Sequence, residues 1–210
     1  AAPSLTKMND YLKAKNYDSA IPVLKRLETE ADFPQNITYA QSNLMKSYYE
    51  KQDFTNAVVY ADKVLKNDKI DDRIKSDAQI IVARSAIKTN DEAKAKEAYA
   101  KLQKIAKGEL AAEALYYDAY FKNKEGKFES SNVVVQKIAQ DYSGYKYYGA
   151  KSLVIMAKNF YGLKDSFQAT YILESVIENF KEYTDVIEEA QKELDFIKGE
   201  EAKRNSSITN

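Results

Sequence analysis

The chain has 210 residues, and its 32 Lys and Arg balance 32 Asp and Glu, so the formal charge at neutral pH is zero. Cys, His and Trp are absent, which excludes disulfide frames, thiolate zinc sites, Cys–His nucleophiles and Ser–His triads, and the neutral balance lacks the basic footprint of a nucleic-acid binder. With only 6 Gly and 3 Pro, nothing punctuates the chain at strand-like intervals, and abundant Ala, Lys, Glu and Leu favour helix. No apolar run approaches the length of a membrane span.

From the N-terminus, the spacing predicts a short helix over Ser4–Lys15 carrying Leu5, Met8, Tyr11 and Leu12. A polar turn at Lys15-Asn16 leads into a second helix with Tyr17, Ala20, Leu24 and Leu27 on one face. The pattern then repeats. Met45 and Tyr48, a turn at Gln52-Asp53, and Phe54, Ala57, Ala61 and Val64 form the second pair. Asp68, Asp71 and Asp72 read as a polar turn and N-cap before a helix starting near Ile70. Ala83 and Ala86, a turn at Asn90-Asp91, and Ala95, Tyr99 and Leu102 form the third pair. In the fourth, Lys122 falls where the other copies are apolar, so Tyr120 or Phe121 is expected to fill that role. A turn at Glu125-Gly126 and a helix with Phe128, Ser131, Val135 and Ile138 follow. Tyr142, Tyr145, Tyr147 and Tyr148 crowd the next junction, where Gly144 is expected to permit the turn. The fifth pair carries Ala157 and Phe160, a turn at Lys164-Asp165, and Ala169, Leu173 and Val176. A single amphipathic helix with Ile187, Ala190, Leu194 and Ile197 on one face closes the series.

One small-residue position sets the register: Ala20, Ala57, Ala95, Ser131 and Ala169 stand 37, 38, 36 and 38 residues apart. Residues four and seven further on share its helical face, and the small side chain admits a close neighbour. A helix pair cannot cover its own apolar face, so successive pairs must stack. The expected fold is all-α, an α-α superhelix of about five pairs over 4–35, 36–70, 71–108, 109–144 and 145–181. A capping helix over 182–204 and a disordered tail over 205–210 complete the expectation.

From about Leu5 to Phe180 this pattern resembles the tetratricopeptide repeat family, most clearly in Leu44, Met45, Tyr48, Phe54 and Ala57 and in Ala157, Phe160, Ala169, Leu173 and Val176. The chain departs from the family in lacking its Trp and terminal Pro and in its longer period. That longer period is similar to bacterial envelope members such as the BamD-like assembly lipoproteins and the Tol–Pal coordinator. The resemblance implies a non-catalytic scaffold with a protein or peptide partner, and it favours periplasm or cell envelope over cytoplasm.

No phosphate-binding glycine loop, dinucleotide fingerprint or calcium loop occurs, and no cofactor or metal is expected. The paired acids Glu188-Glu189 and Glu200-Glu201 point apart on a helix and are expected on a solvated face, so the chain does not read as an enzyme. The resemblance implies that the first helices of the pairs line a concave groove. Asn43, Lys46, Tyr49, Arg84, Tyr116, Tyr120, Lys158 and Tyr161 then become the partner-binding candidates. Leu5, Ser42, Ile80 and Val154 share the groove row of Tyr116. Cations beside Tyr and aliphatic residues suit an acidic or carboxylate-ended segment. Equally, Lys46, Arg84 and Lys158 read as solvated cations offset by acids, with Asp77, Glu50 and Glu113 nearby. The Tyr-rich junction reads either as a sugar-binding surface or as helix packing. At the N-terminal end, Leu5 and Leu12 have nothing upstream to cover them. This suggests the C-terminal part of a longer array and weak self-association through that face.

Overall fold

The computed structural model describes residues 5–209, which form eleven helices and no strand. Ser4, the expected start of the first helix, and Asn210, the end of the expected tail, lie outside the described residues. The chain divides into two compact units between Ala106 and Lys107. The first holds α1 (Leu5–Lys13), α2 (Tyr17–Glu30), α3 (Pro34–Glu50), α4 (Phe54–Leu65), α5 (Asp72–Lys88) and α6 (Glu92–Gln103). The second holds α7 (Gly108–Lys124), α8 (Phe128–Asp141), α9 (Lys146–Gly162), α10 (Ser166–Asn179) and α11 (Thr184–Thr209). Within each unit every even-numbered helix packs against the odd-numbered helices beside it in sequence. Odd helices also touch one another, α3 with α5 in unit 1, and α7 with α9 and α9 with α11 in unit 2.

All five pairs close with the same turn. Lys15, Gln52, Asn90, Gly126 and Lys164 take left-handed φ values of 56°, 61°, 61°, 75° and 68°. The next amide donates five residues back, as Asp53 N does to Tyr48 O at 2.9 Å and Asp165 N to Phe160 O at 2.9 Å. The left-handed residue's own amide reaches three back, as Gln52 N does to Tyr49 O at 2.9 Å. Together these bonds satisfy carbonyls that the end of the first helix would leave bare. The residue after the left-handed one then caps the second helix. Asn16, Asp53, Asp91 and Asp165 accept from the amides of Ser19, Asn56, Lys94 and Gln168. The fourth turn differs: Gly126 adopts its φ without steric cost, but Lys127 supplies no capping acceptor.

The five register-setting residues Ala20, Ala57, Ala95, Ser131 and Ala169 are all fully buried at 0% exposure. Ser131 remains satisfied there because its Oγ donates to Ala119 O at 2.7 Å. Leu24, Ala61, Tyr99, Val135 and Leu173, four residues on, and Leu27, Val64, Leu102, Ile138 and Val176, seven on, are buried as well. Burying a Leu, Val or Ile in such a seam contributes roughly 1.5–3 kcal/mol before entropy is set against it. In the fourth copy it is Phe121 that is buried, while Lys122 is partly exposed and pairs with Asp118 at 2.6 Å.

Several local expectations are corrected. The fifth helix starts at Asp72 rather than near Ile70, because Asp71 is its N-cap and accepts from Ile74 N at 2.9 Å. Gly144 is not among the left-handed residues, and a Cβ there would meet open space, so its turn does not require glycine. In α11, Val186 joins Ala190, Leu194 and Ile197 in the core, whereas Ile187 is only half-buried. That helix also runs past residue 204 to Thr209, where a tail was expected. Neither Gly nor Pro follows Gly199 to stop it, and Glu200–Lys203 at 3.5 Å and Glu201–Arg204 at 3.3 Å brace the helix just before that stretch.

Candidate functional site

The candidate residues divide between the units, and each unit presents its own face of odd-numbered helices. In unit 1 the N-terminal halves of α3 and α5 leave a groove of about 670 Å³ that includes Asn43 and Lys46. Asn43 turns its amide onto its own helix, donating to Tyr39 O at 2.9 Å. Lys46 is engaged by Asp77 at 3.2 Å across the groove. One pair of positions does remain open: Lys69 and Arg73 line the groove beside Ile70 and Ile74, and neither side chain has an ion pair or hydrogen bond among the described residues. Tyr39, whose hydroxyl donates to Asn9 Oδ1 at 2.5 Å, lines the groove opposite, and burial holds its pKa above the ordinary value. Tyr49 lies beyond the groove lining, where its ring meets Phe54 edge-on at 5.9 Å, and Arg84 is half-buried further along α5.

Unit 2 presents aromatic rings instead. Tyr116 does not reach the surface as expected: it is 3% exposed and packs against Tyr117, Tyr120 and Tyr148 at centroid distances of 4.9, 6.4 and 6.3 Å. Burial drives its pKa well above the usual tyrosine value, with the Glu189 charge adding to the shift. Ile80 and Val154 in the same groove row are buried too, because contacts between odd helices bury a wider face than one pair would. Tyr120 and Tyr161 are half-buried, the latter edge-on to the exposed Phe196 at 6.2 Å. Lys158 is paired with Glu189 at 3.2 Å, so Glu189 is half-buried in a pair rather than free on a solvated face.

The Tyr-rich junction is packed. Tyr147 donates to Asp185 Oδ2 at 2.6 Å and Tyr148 to Glu113 Oε1 at 2.9 Å, which also places Glu113 in the interior, at 3% exposure, rather than beside a groove. Lys151, which sequence reasoning passed over, sits among these rings, its Nζ 4.7 Å from the centroid of Tyr116, 5.9 Å from Tyr117 and 5.7 Å from Tyr147. Such cation–ring contacts are worth about 0.5–2 kcal/mol each. The signal for it was the i, i+4 spacing of Tyr147 and Lys151 on α9. Only Tyr145 of the four junction tyrosines is exposed, at 38%.

Among the described residues no group of three or more acids could hold a metal ion, and no helix is long and apolar enough to cross a membrane. No family model matches the sequence, and no curated protein matches it. A crystal structure of a tetratricopeptide repeat protein from Parabacteroides merdae is similar at a TM-score of 0.72 and 16% sequence identity, covering 98% of this chain and 76% of that one. At that identity the likeness establishes the fold, an all-α architecture of the α-α superhelix class built from five helix pairs and a closing helix.

Proposed function

We propose that the chain is a non-catalytic scaffold that holds an extended, acidic segment of a partner protein against its odd-numbered helices. One observation carries this reading: among the described residues Lys69 and Arg73 have no side-chain partner, and they stand in a groove that also contains Ile70 and Ile74. Carboxylates would take charge-assisted bonds from the two cations while aliphatic side chains rest between them. In unit 2 the half-buried Tyr120, Lys158 and Tyr161 form a candidate surface of their own, with ring contacts taking the place of charge. The long repeat period supports a place in bacterial cell-envelope assembly, which fractionation of the tagged native gene product tests.

The binding test is an array of extended peptides with and without carboxylates. Acidic peptides should bind, and binding should weaken as salt shortens the screening length to about 8–10 Å. Lys69→Glu with Arg73→Glu should abolish it, whereas equal binding of neutral peptides overturns the reading. A second reading, binding of a sugar polymer, rests on Phe167 and Tyr171, one turn apart on α10 and 77% and 64% exposed. A glycan array on which Phe167→Ala with Tyr171→Ala loses signal would favour it.

A further inference from the structure

We propose that a second site in unit 1, a lysine-lined hollow of about 590 Å³ between the C-terminal ends of α4 and α6 and the first half of α5, binds a small anion carrying several phosphate groups. It is lined by different residues from the α3–α5 groove. Lys66, Lys75, Lys101 and Lys104 converge on it from three separate stretches of chain, against a single carboxylate, Asp62. Asp62 is engaged by Lys94 at 3.5 Å, and Lys101 by Glu97 at 2.9 Å. The amines of Lys66, Lys75 and Lys104 have no ion pair or hydrogen bond among the described residues. Gathering like charges around one concavity is unfavourable unless a counter-charge enters it.

Gln79 adds a neutral donor to the lysines. It lines the hollow at 9% exposure, yet its amide makes no hydrogen bond among the described residues. The fully buried side-chain polar atoms without a partner among the described residues are Ser47 Oγ and Ser85 Oγ, so the Gln79 amide keeps contact with solvent and is free to turn to a solute in the hollow. An anion held by the lysines would accept from its NH2 group. The basic lining does not follow from the repeat itself. Lys75, Gln79 and Lys104 correspond in register to Gly149, Leu153 and Glu178, and the equivalent hollow of unit 2, about 370 Å³, has Val135, Leu153 and Phe180 among its walls and carries one cation, Lys146, against one acid, Glu182.

The donor set selects the ligand chemistry. Lysine acts as a point charge suited to tetrahedral phosphate oxygens, whereas planar carboxylates favour the fork of arginine, which is absent here. The volume falls in the range of small-molecule sites and exceeds the needs of one phosphate group.

Isothermal titration with tripolyphosphate at low salt tests the site. Binding is expected, with citrate clearly weaker, and Lys75→Ala with Lys104→Ala should reduce affinity by about tenfold or more. Gln79→Leu, which installs the residue that unit 2 carries, should weaken binding several-fold. The exposed Lys66→Ala keeps the test open should the paired variant unfold on melting. Absence of heat, equal binding of citrate, or wild-type affinity in all the variants overturns the proposal. Phosphatidylcholine vesicles doped with phosphatidic acid form the last arm. Sedimentation with them in the absence of tripolyphosphate binding would also overturn it, in favour of a membrane headgroup.

Discussion

Ser85 in unit 1 and Asn159 in unit 2 occupy the same place in the repeat, two residues after Ala83 and Ala157, and both are fully buried. They meet opposite fates. Ser85 Oγ, like Ser47 Oγ one repeat earlier, finds no hydrogen-bond partner among the described residues. Asn159 instead accepts from Asn123 and donates to Asn132, both at 2.8 Å, and so ties α7, α8 and α9 together. The repeat leaves the chemistry of this position open: the fourth copy fills it with the buried Phe121 and the first with the exposed Asp10. Unit 1 spends the position on tolerance, and unit 2 on a polar lock.

Substitution at this position should separate the units most sharply. Asn159→Ala strands two amides and is expected to cost about 2–4 kcal/mol in chemical denaturation. A loss below 1 kcal/mol, as order of magnitude, would mean the chain of amides does not hold the helices. Next comes a packing contrast between Phe128 and its equivalent Phe54. A Cβ on Gly162 would lie 2.5 Å from Phe128 Cζ, so that ring rests directly on the α9 backbone, whereas Phe54 turns edge-on to Tyr49 of its own pair. Gly162→Ala should therefore cost about 1–3 kcal/mol, and the register-equivalent Lys88→Ala, on an exposed residue, almost nothing. Thermal melts of the two variants check this.

Alkaline titration distinguishes the units by charge rather than volume. Burial raises the pKa of Tyr116 well above the ordinary value of 10.0, and burial with the Asp185 hydrogen bond raises that of Tyr147 further than any shift resolved in unit 1. Folded tyrosines of this kind keep protons that the unfolded chain releases. Their contribution is intact below pH 10 and declines as pH rises above it, by at most about 1.4 kcal/mol per pH unit for each proton. Tyr116→Phe should blunt the decline, and melts that are flat between pH 9 and 11 (values chosen about the usual tyrosine pKa) would contradict the assignment.

Smaller effects belong to the turns. Lys127→Asp would give the fourth turn the cap that the other four possess and should add about 0.5–1 kcal/mol, while Asp53→Ala should remove a similar amount. Smallest of all, Ser85→Ala deletes an unpartnered hydroxyl and should leave stability unchanged or slightly improved. A clear loss there would reveal a partner for that oxygen.

The architecture was legible because its determinants are local and periodic. The interval of 36 to 38 residues between Ala20 and Ala169 fixed which face is buried, and Asn or Asp after a polar residue marked four of the five turns. Contacts between different pairs were not legible. Tyr116 reads as a surface residue from its helix alone, and only the approach of α9 encloses it. The closeness of Phe128 to Gly162 and the amide chain through Asn159 likewise join residues 27 to 36 positions apart, with no signature in either local segment. Among the site candidates, Lys46 and Lys158 were recognisable as cations and Asp77 as an acid near Lys46, but Glu189 as the partner of Lys158 follows from helix packing and not from spacing. The open cations Lys69 and Arg73 flank the start of α5, a stretch read only as a polar turn.

The cluster of rings around Lys151 also has an optical consequence. Without tryptophan, ultraviolet emission from this chain comes from tyrosine alone, and Tyr116, Tyr117, Tyr120, Tyr147 and Tyr148 lie close enough to exchange excitation. Emission anisotropy should therefore be low while unit 2 is folded and change as the rings separate, giving a label-free signal for the melting of that half of the chain.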